Sequence, residues 1–279
     1  MTDSGNRDVP ARTEPEAELA RRLVAHLDLT NLDETCTESA VEALCMKALG
    51  GEGVPPVAAV CIWPAFVKIA ARRLSGFPVK VATVVNFPSG AENVERVVEA
   101  AAEAVRDGAD EIDLVMPYAA CLAGDEAAAR AMIEAVRERL DGEARLKVIL
   151  ETGALGSDAA IARASRLAIE AGADFIKTST GKIPVSATPQ AARLMLDAIR
   201  ESTRPVGLKP SGGIRTLEDA RTYLALAEEV MGADWPTPDT FRIGASGLHA
   251  ALVAAIAGEA ASAPSRAASA PQSPEGGSY

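Results

Sequence analysis

The sequence has little of what metal centres, disulfide frameworks and polyanion-binding surfaces require. Histidine occurs only twice and the four cysteines show no CxxC spacing, so neither a structural metal site nor a set of disulfides is expected. Basic residues occur in no run longer than a pair, and the net charge of −11 disfavours binding to nucleic acid or to an anionic membrane. No apolar run approaches the roughly 18 residues that span a bilayer. Nucleic acid and membranes are therefore not the expected partners.

The two ends of the chain differ in composition from its middle. Residues 1–14 are polar and lack the apolar core of a secretory signal, so we expect a flexible arm and a cytoplasmic protein. Ala, Ser, Pro and Gly dominate residues 259–279, which predicts a flexible tail ending in Tyr279. Residues 15–258 remain for one domain, and their length suits a single α/β barrel.

The middle of the chain alternates short β-rich runs with helical patterns. Hydrophobic residues make up 48% and aromatic residues only 4%, a mixture that favours helices packed on buried parallel strands. Eight candidate strands begin near residues 26, 57, 80, 111, 146, 175, 206 and 241. Eight βα units with short connections predict a (β/α)8 TIM barrel preceded by one extra helix. A doubly wound sheet is disfavoured because no GxGxxG follows the first strand.

The helices between these strands carry recognisable starts and stops. Ser157, Thr188 followed by Pro189, and Thr216 with Asp219 three residues later are typical helix starts. The segments DGAD, AGAD and MGAD, which begin at residues 107, 171 and 231, each put a glycine where a helix ends. Their recurrence suggests a two-unit repeat, although general helix-end chemistry explains it equally well.

Ionisable side chains occupy the inward parity of several candidate strands. Asp113, Glu151, Lys177 and Lys209 alternate with apolar neighbours, so the apolar side chains face the helices and the ionisable ones face the barrel interior. All four lie toward the carboxyl ends of their strands, where barrel enzymes place their chemistry.

Two inward lysines on neighbouring strands indicate chemistry more strongly than one would. A single lysine paired with Glu151 could simply be a buried ion pair. Lys177 and Lys209, however, lie on strands about 4.8 Å apart and repel each other unless one loses its proton. Burial and a like charge both lower a lysine pKa, which favours the neutral amine that attacks a carbonyl. Only 7 of the 28 basic residues are lysines, so this chain usually uses arginine where it needs a cation. Lysine at these two positions therefore indicates a need for an amine that can lose its proton.

The loops after candidate strands 6, 7 and 8 combine glycine with cationic residues. TGK at 180, SGGIRT at 211 and GASGLHA at 244 bring small residues, free backbone N–H groups, a lysine and an arginine to one side of the barrel. This composition predicts a phosphate site. A nucleotide P-loop is excluded because GxxxxGK[ST] does not fit around Lys182.

Cys61, His26 and His249 are weaker candidates. Cys61 ends the second candidate strand, but no histidine occurs in a strand-end motif to activate it, which favours a pocket-wall thiol over a nucleophile. The two histidines are interpreted as packing or helix residues.

Taken together, the strand-end motifs resemble those of the deoxyribose-phosphate aldolase family over nearly the whole chain. The stretches that carry the resemblance are LDLTNL, AAVCIWPAFV, VATVVNFPSG, GADEIDLVMP, LKVILETGAL, GADFIKTSTGK, GLKPSGGIRT and RIGASG. The resemblance implies a class I aldolase that needs no metal and no cofactor. It further implies interconversion of 2-deoxy-D-ribose 5-phosphate with D-glyceraldehyde 3-phosphate and acetaldehyde.

The same resemblance assigns roles to individual residues. It implies that Lys177 forms the imine, that Lys209 keeps Lys177 neutral and takes part in proton transfer, and that Asp113 is an acid/base acting through a bound water. The implied substrate-binding residues are Asp28, Thr30, Cys61, Thr180, Gly181, Lys182, Gly212, Gly213, Gly244 and Ser246. Many relatives have a second serine where this chain has Gly247, so we expect a weaker preference for phosphate at most.

The chain ends in Ser-Tyr, as does a branch of the resembling family, which suggests that Tyr279 assists proton transfer from a mobile tail. Three alternatives remain open at this point. They are an inert tail, a barrel aldolase for a different phosphosugar, and a catalytically silent barrel that binds phosphosugars. A homodimer is the assembly we expect.

Overall fold

The computed structural model describes residues 14–91 and 93–262 and contains all eight predicted strands. The strands are β1 Leu27–Asn31, β2 Ala59–Ile62, β3 Lys80–Val85, β4 Glu111–Val115, β5 Arg145–Ile149, β6 Phe175–Lys177, β7 Gly207–Lys209 and β8 Ile243–Ala245. All neighbouring pairs from β1 to β7 are parallel, and β1 also pairs with β8.

The circle of strands closes between β7 and β8 through isolated bridges instead of a continuous ladder. Leu208 bridges to Phe241 and Ser211 to Gly244. The Leu208 N–H donates to the Thr240 carbonyl at 2.8 Å, and the Arg242 N–H donates to the Leu208 carbonyl at 3.0 Å. The predicted (β/α)8 TIM barrel is confirmed, with a weakly paired seam at this position.

Helices surround the strands and cover their outward apolar side chains. They are α1 Glu16–Ala25, α2 Glu38–Ala48, α3 Val67–Arg73, α4 Val94–Arg106, α5 Tyr118–Leu122, α6 Glu126–Leu140, α7 Thr152–Leu155, α8 Asp158–Glu170, α9 Pro189–Glu201, α10 Leu217–Met231 and α11 Leu248–Ser262. The extra helix α1 packs against α11 and so joins the two ends of the helical ring. Helix α11 continues past residue 258, where a tail was predicted to begin, because alanine there favours helix.

The predicted helix starts are confirmed by their hydrogen bonds. The hydroxyls of Ser157, Thr188 and Thr216 each accept from a backbone N–H in the first turn of the following helix. Asp219 returns a bond to the Thr216 N–H and completes a capping box. Capping satisfies N–H groups that have no partner inside the helix.

The predicted glycine stops also lie at helix ends, and two of the GAD segments share a further contact. Asp110 accepts from the Val81 N–H, and Asp174 accepts from the Leu146 N–H, each at 2.8 Å. Each aspartate therefore ties the start of its own strand to the start of the preceding strand. This shared hydrogen bond explains why the same GAD segment recurs before β4 and β6.

Within the described ranges, no helix is both long and apolar enough to cross a membrane.

Candidate active site

The two predicted lysines of the barrel interior meet at one carboxylate. Lys177 and Lys209 are direct register partners on β6 and β7. The Nζ atoms of both lie 2.7 Å from Oδ2 of Asp113, on β4. All three side chains are buried. Parity on the strands thus brings together the three residues that the sequence indicated.

A second layer of ion pairs lies next to this cluster. Lys147 on β5 contacts Glu111 at 2.6 Å, Asp113 at 2.9 Å and Asp28 at 3.4 Å. Arg242, just before β8, pairs with Asp28 at 2.7 Å and with Glu111 at 2.9 Å. Asp28 also lies 2.5 Å from the Nζ of Lys209. The ion pairs thus link Asp113 to both layers.

The groups joined by these ion pairs include one more cation than carboxylate when every one of them is charged. The groups are Asp28, Glu111 and Asp113 against Lys147, Lys177, Lys209 and Arg242. A buried charge without a counter-charge is costly, so loss of one proton favours the folded state. In the part of the chain that the structure describes, Lys177 pairs with Asp113 alone, through an oxygen that it shares with Lys209. Each of the other cations pairs with at least two carboxylates. Charge balance therefore selects Lys177 as the neutral amine.

The pKa shifts agree with this selection. Burial lowers the pKa of Lys177, and the like charge of Lys209 lowers it further against the attraction of Asp113. Burial also disfavours charge on Lys209, but Asp113 and Asp28 outweigh it and raise the pKa of Lys209. Burial would raise the pKa of Asp113, yet the three lysines around it hold that pKa well below its usual range. The shifts thus favour the neutral amine at Lys177 and the charged forms of Lys209 and Asp113.

A pocket of about 350 Å³ opens at the carboxyl ends of the strands. Its lining comes from β1, from the loops after β6 and β7, and from β8 and its following loop. Gly244 connects it to the lysine cluster, because a Cβ there would lie 3.1 Å from Cε of Lys209 and 2.5 Å from Oγ of Ser211. Only glycine fits between these two side chains.

Most predicted substrate-binding residues line this pocket. They are Thr30, Thr180, Gly181, Lys182, Gly212, Gly213, Gly244 and Ser246. Gly212 has a φ of +87°, and a Cβ there would lie 2.6 Å from Ser186, so both conformation and space require glycine. The Nζ of Lys182 donates to the Leu32 carbonyl at 2.8 Å and so spans from the loop after β6 to the loop after β1.

Two predicted substrate-binding residues lie away from the pocket surface. Asp28 is fully buried in the ion-pair layer, where it contacts Lys209 and Arg242, and Cys61 is fully buried in the β2 wall. Their depth along the strands places them beneath the pocket. Burial raises the pKa of Cys61, which fits a wall thiol. Tyr279 lies outside the described residues.

Glu151 has hydrogen bonds where the sequence suggested an ion pair. Its buried carboxylate accepts from the Thr180 N–H at 3.3 and 3.4 Å and from the Thr180 hydroxyl at 2.6 Å. The two histidines are buried as interpreted. His26 bonds the Arg22 carbonyl and packs on Phe241, and His249 lies in α11.

Lys147, Glu111 and Arg242 were not among the predicted site residues. Parity was the one sequence signal for them. Lys147 has the parity of Glu151, Glu111 that of Asp113, and Arg242 that of Gly244. They lie near the beginnings of their strands, where a charged side chain can equally reach the outer surface. Arg215 lines the pocket, but it was predicted there only as the arginine of the SGGIRT segment.

The seven lysines divide sharply between interior and surface. Lys147, Lys177 and Lys209 are buried, whereas Lys47, Lys68, Lys80 and Lys182 are exposed.

Comparisons with known proteins agree with this architecture. Residues 22–251 match the model of the DeoC/LacD family of aldolases. The chain is 52% identical over 243 residues to the deoxyribose-phosphate aldolase of Agrobacterium fabrum, covering 86% of this chain and 93% of that protein. It is 30% identical to a candidate deoxyribose-phosphate aldolase from Coccidioides immitis, with a TM-score of 0.74 and 91% of each chain covered. A candidate deoxyribose-phosphate aldolase from Toxoplasma gondii superposes with a TM-score of 0.79 at 27% identity, covering 87% of this chain and 96% of that one. With a family match over most of its length and a lysine pair at the mouth of a barrel, the chain belongs to the DeoC/LacD family of aldolases.

Proposed function

We propose that the enzyme reversibly cleaves 2-deoxy-D-ribose 5-phosphate to D-glyceraldehyde 3-phosphate and acetaldehyde through a Schiff base on Lys177. The observation that carries this proposal is the placement of Lys177 and Lys209 on one oxygen of Asp113, beneath a pocket with glycine-rich walls. The 52% identical protein of Agrobacterium fabrum is named deoxyribose-phosphate aldolase, which supports the proposal.

The proposed reaction begins with attack by the neutral amine of Lys177 on the C1 aldehyde of the open-chain sugar. Loss of water gives a protonated imine, which withdraws electrons from C2. The C3 hydroxyl gives up its proton, the C2–C3 bond breaks, and glyceraldehyde 3-phosphate leaves. The bonding electrons form an enamine, which takes a proton at C2. Water then hydrolyses the imine to release acetaldehyde and restore Lys177.

Asp113 and Lys209 serve the proton transfers in this scheme. The carboxylate of Asp113 accepts a proton, and the ammonium of Lys209 is the nearest donor, since it lies 2.7 Å from the same oxygen that contacts Lys177. A bound water carries the protons to the substrate atoms. Asp28 holds Lys209 in the charged state from below.

Reduction with borohydride in the presence of acetaldehyde tests the Schiff base. We expect one stable adduct, mapped by peptide mass spectrometry to Lys177, and none in Lys177→Arg, because a guanidinium stays protonated. The exposed Lys80→Arg variant is the matched control and should retain the adduct. An adduct on Lys209 or Lys182 would overturn the assignment.

The phosphate preference is tested separately with Lys182→Ala. We expect a loss of affinity for 2-deoxyribose 5-phosphate and little change for 2-deoxyribose, since the change removes a cation at the pocket wall and nothing at the imine. Equal losses on both sugars would place the phosphate elsewhere.

Two further measurements separate the proposal from its alternatives. Activity should survive EDTA because the imine acts as the electron sink. Product analysis distinguishes acetaldehyde and glyceraldehyde 3-phosphate from the products of an aldolase for another phosphosugar, and a silent binding barrel would give no products.

Three sequence-based expectations stay predictions. Tyr279→Phe should slow turnover and exchange of the acetaldehyde methyl protons by roughly 10²-fold, the low end of general acid–base effects, while Lys177 imine formation persists. Light scattering tests the expected homodimer, and cell fractionation tests the cytoplasmic location.

A further inference from the structure

Glu151 is a buried acidic residue that the proposed mechanism does not use. It follows β5 with a φ of +56°, in the left-handed region where glycine is the easier residue. Two backbone hydrogen bonds fix its position, from the Leu150 N–H to the Lys177 carbonyl and from the Thr152 N–H to the Thr178 carbonyl, each at 2.9 Å. The strained backbone thus aims a carboxylate from β5 at the loop after β6.

The carboxylate of Glu151 holds one pocket residue. All of its hydrogen-bond partners among the described residues belong to Thr180, through the N–H at 3.3 and 3.4 Å and the hydroxyl at 2.6 Å. The ion pairs of the interior go instead to Asp28, Glu111 and Asp113. Among the described residues, the hydrogen bonds of Glu151 to the pocket therefore all go through Thr180.

The direction of these bonds decides what Thr180 offers to a ligand. A threonine hydroxyl has one proton and two lone pairs. An ionised carboxylate can only accept, so the hydroxyl proton of Thr180 points to Glu151. One lone pair accepts from the Lys182 N–H at 3.1 Å. The other lone pair remains available on the pocket side.

We propose that Glu151 is a positioning residue that fixes the Thr180 hydroxyl as a hydrogen-bond acceptor for a hydroxyl group of the sugar substrate. The inference rests on the proposed aldolase function and names the recognised feature, a hydroxyl next to the aldehyde carbon of the acceptor. Burial raises the pKa of Glu151, while the Thr180 hydrogen bonds and the charge of Lys177 lower it. A cationic imine at Lys177 therefore favours the ionised carboxylate that this arrangement needs.

Two acceptors that differ by one hydroxyl provide the test in the synthesis direction, with acetaldehyde as donor. They are D-glyceraldehyde 3-phosphate and 3-phosphooxypropanal, which lacks only the 2-hydroxyl. In Glu151→Gln the amide competes to donate to Thr180, so the threonine proton turns toward the pocket. We expect KM for glyceraldehyde 3-phosphate to rise about tenfold, the size of one hydrogen bond, and KM for the deoxy acceptor to stay unchanged.

Matched variants separate positioning from damage to the fold. Glu143→Gln makes the same change at an exposed residue before β5, at the opposite end of the barrel, and should leave both KM values unchanged. Thr180→Val should reproduce the effect of Glu151→Gln, and Thr180→Ser, which keeps the hydroxyl, should not. The double variant Glu151→Gln/Thr180→Val should be no worse than Thr180→Val alone.

Equal rises in KM for both acceptors would overturn the proposal, as would additive losses in the double variant. If Glu151→Gln does not fold, the comparison of Thr180→Val with Thr180→Ser decides, and an unchanged KM ratio in Thr180→Val overturns it. Borohydride trapping on the unmodified enzyme keeps the two hypotheses distinct. Absence of a Lys177 adduct there refutes the proposed function rather than the role of Glu151.

Discussion

At the scale of single residues, Lys209 influences the protonation of its neighbour Lys177. It contributes a like charge next to Lys177 and occupies part of the Asp113 carboxylate. Lys209→Leu removes the repulsion and leaves Oδ2 of Asp113 to Lys177, so both effects raise the pKa of Lys177. The neutral fraction of an amine increases with pH through its pKa. The acid limb of imine formation should therefore move to higher pH.

Borohydride trapping as a function of pH measures this shift, and circular dichroism checks that Lys209→Leu is folded. A trapping profile that coincides with that of the unmodified enzyme would contradict the coupling.

Lys147 is the residue on which the interior charge balance depends most. It pairs with three carboxylates and is fully buried. Lys147→Met should lower the free energy of unfolding by about 3–5 kcal/mol, because it leaves buried carboxylates without their cation. Urea unfolding measures the change. The exposed Lys68→Met is the control and should stay within about 0.5 kcal/mol of the unmodified protein. Similar losses in both variants would argue against the ion-pair layer.

Strand parity explains why some site residues could be predicted and others could not. Asp113, Lys177 and Lys209 were found because an ionisable residue at the carboxyl end of a barrel strand has few structural uses. Lys147 and Arg242 were missed because the stagger between strands decides whether a charge near a strand start is inside, and no local pattern encodes that stagger. The bond from Glu151 to Thr180 spans two loops and leaves no signal in sequence spacing.

At the scale of elements, the GAD segments that end at Asp110 and Asp174 have the same backbone hydrogen bond but different ion pairs. Asp174 accepts from the Leu146 N–H and forms an ion pair with Arg137 at 2.8 Å. Asp110 makes the equivalent bond to Val81, but its cation, Lys80, is exposed and 3.6 Å away. The Arg137 pair should therefore make Asp174 the more important anchor.

Asp174→Ala should lower the free energy of unfolding by about 2 kcal/mol, because it leaves the Leu146 N–H unpaired and removes the ion pair with Arg137. Asp110→Ala should lower it by about half as much, because the main loss is the bond to the Val81 N–H. Urea unfolding of both variants checks the order. A larger loss in Asp110→Ala would reverse the ranking.

The elements themselves were largely predictable. Alternating apolar runs indicated all eight strands, and caps indicated the helix starts. Strand β6 ends at Lys177, and the hydroxyls of Thr178 and Ser179 beyond it donate to the Ser211 carbonyl. Helix α7 had no sequence signal, since the left-handed backbone of Glu151 sets its start.

At the scale of the whole molecule, the barrel is least strongly paired between β7 and β8. Arg242 lies beside this seam and pairs with Asp28 on β1 and Glu111 on β4, and the loops after β7 and β8 line the pocket. Backbone amides at Leu208 and Arg242 should exchange with solvent faster than those of Ile112 and Leu114 in β4, because fewer neighbouring hydrogen bonds must break.

Hydrogen exchange followed by mass spectrometry tests this difference, with and without 2-deoxyribose 5-phosphate. A ligand that contacts loops on both sides of the seam should slow exchange there and leave β4 unchanged. Equal protection of both regions in the free enzyme would contradict a weak seam.

The distribution of lysines has a consequence for chemical durability. Aldehydes condense with any unprotonated amine. An enzyme with aldehyde substrates is therefore slowly modified at its own lysines. Only four of the seven lysines are exposed here, and arginine supplies most of the remaining positive charge. Guanidinium groups stay protonated and resist such condensation. The enzyme thus keeps its most reactive amine inside the barrel and presents few alternative targets outside, so prolonged exposure to concentrated aldehyde should label few surface positions.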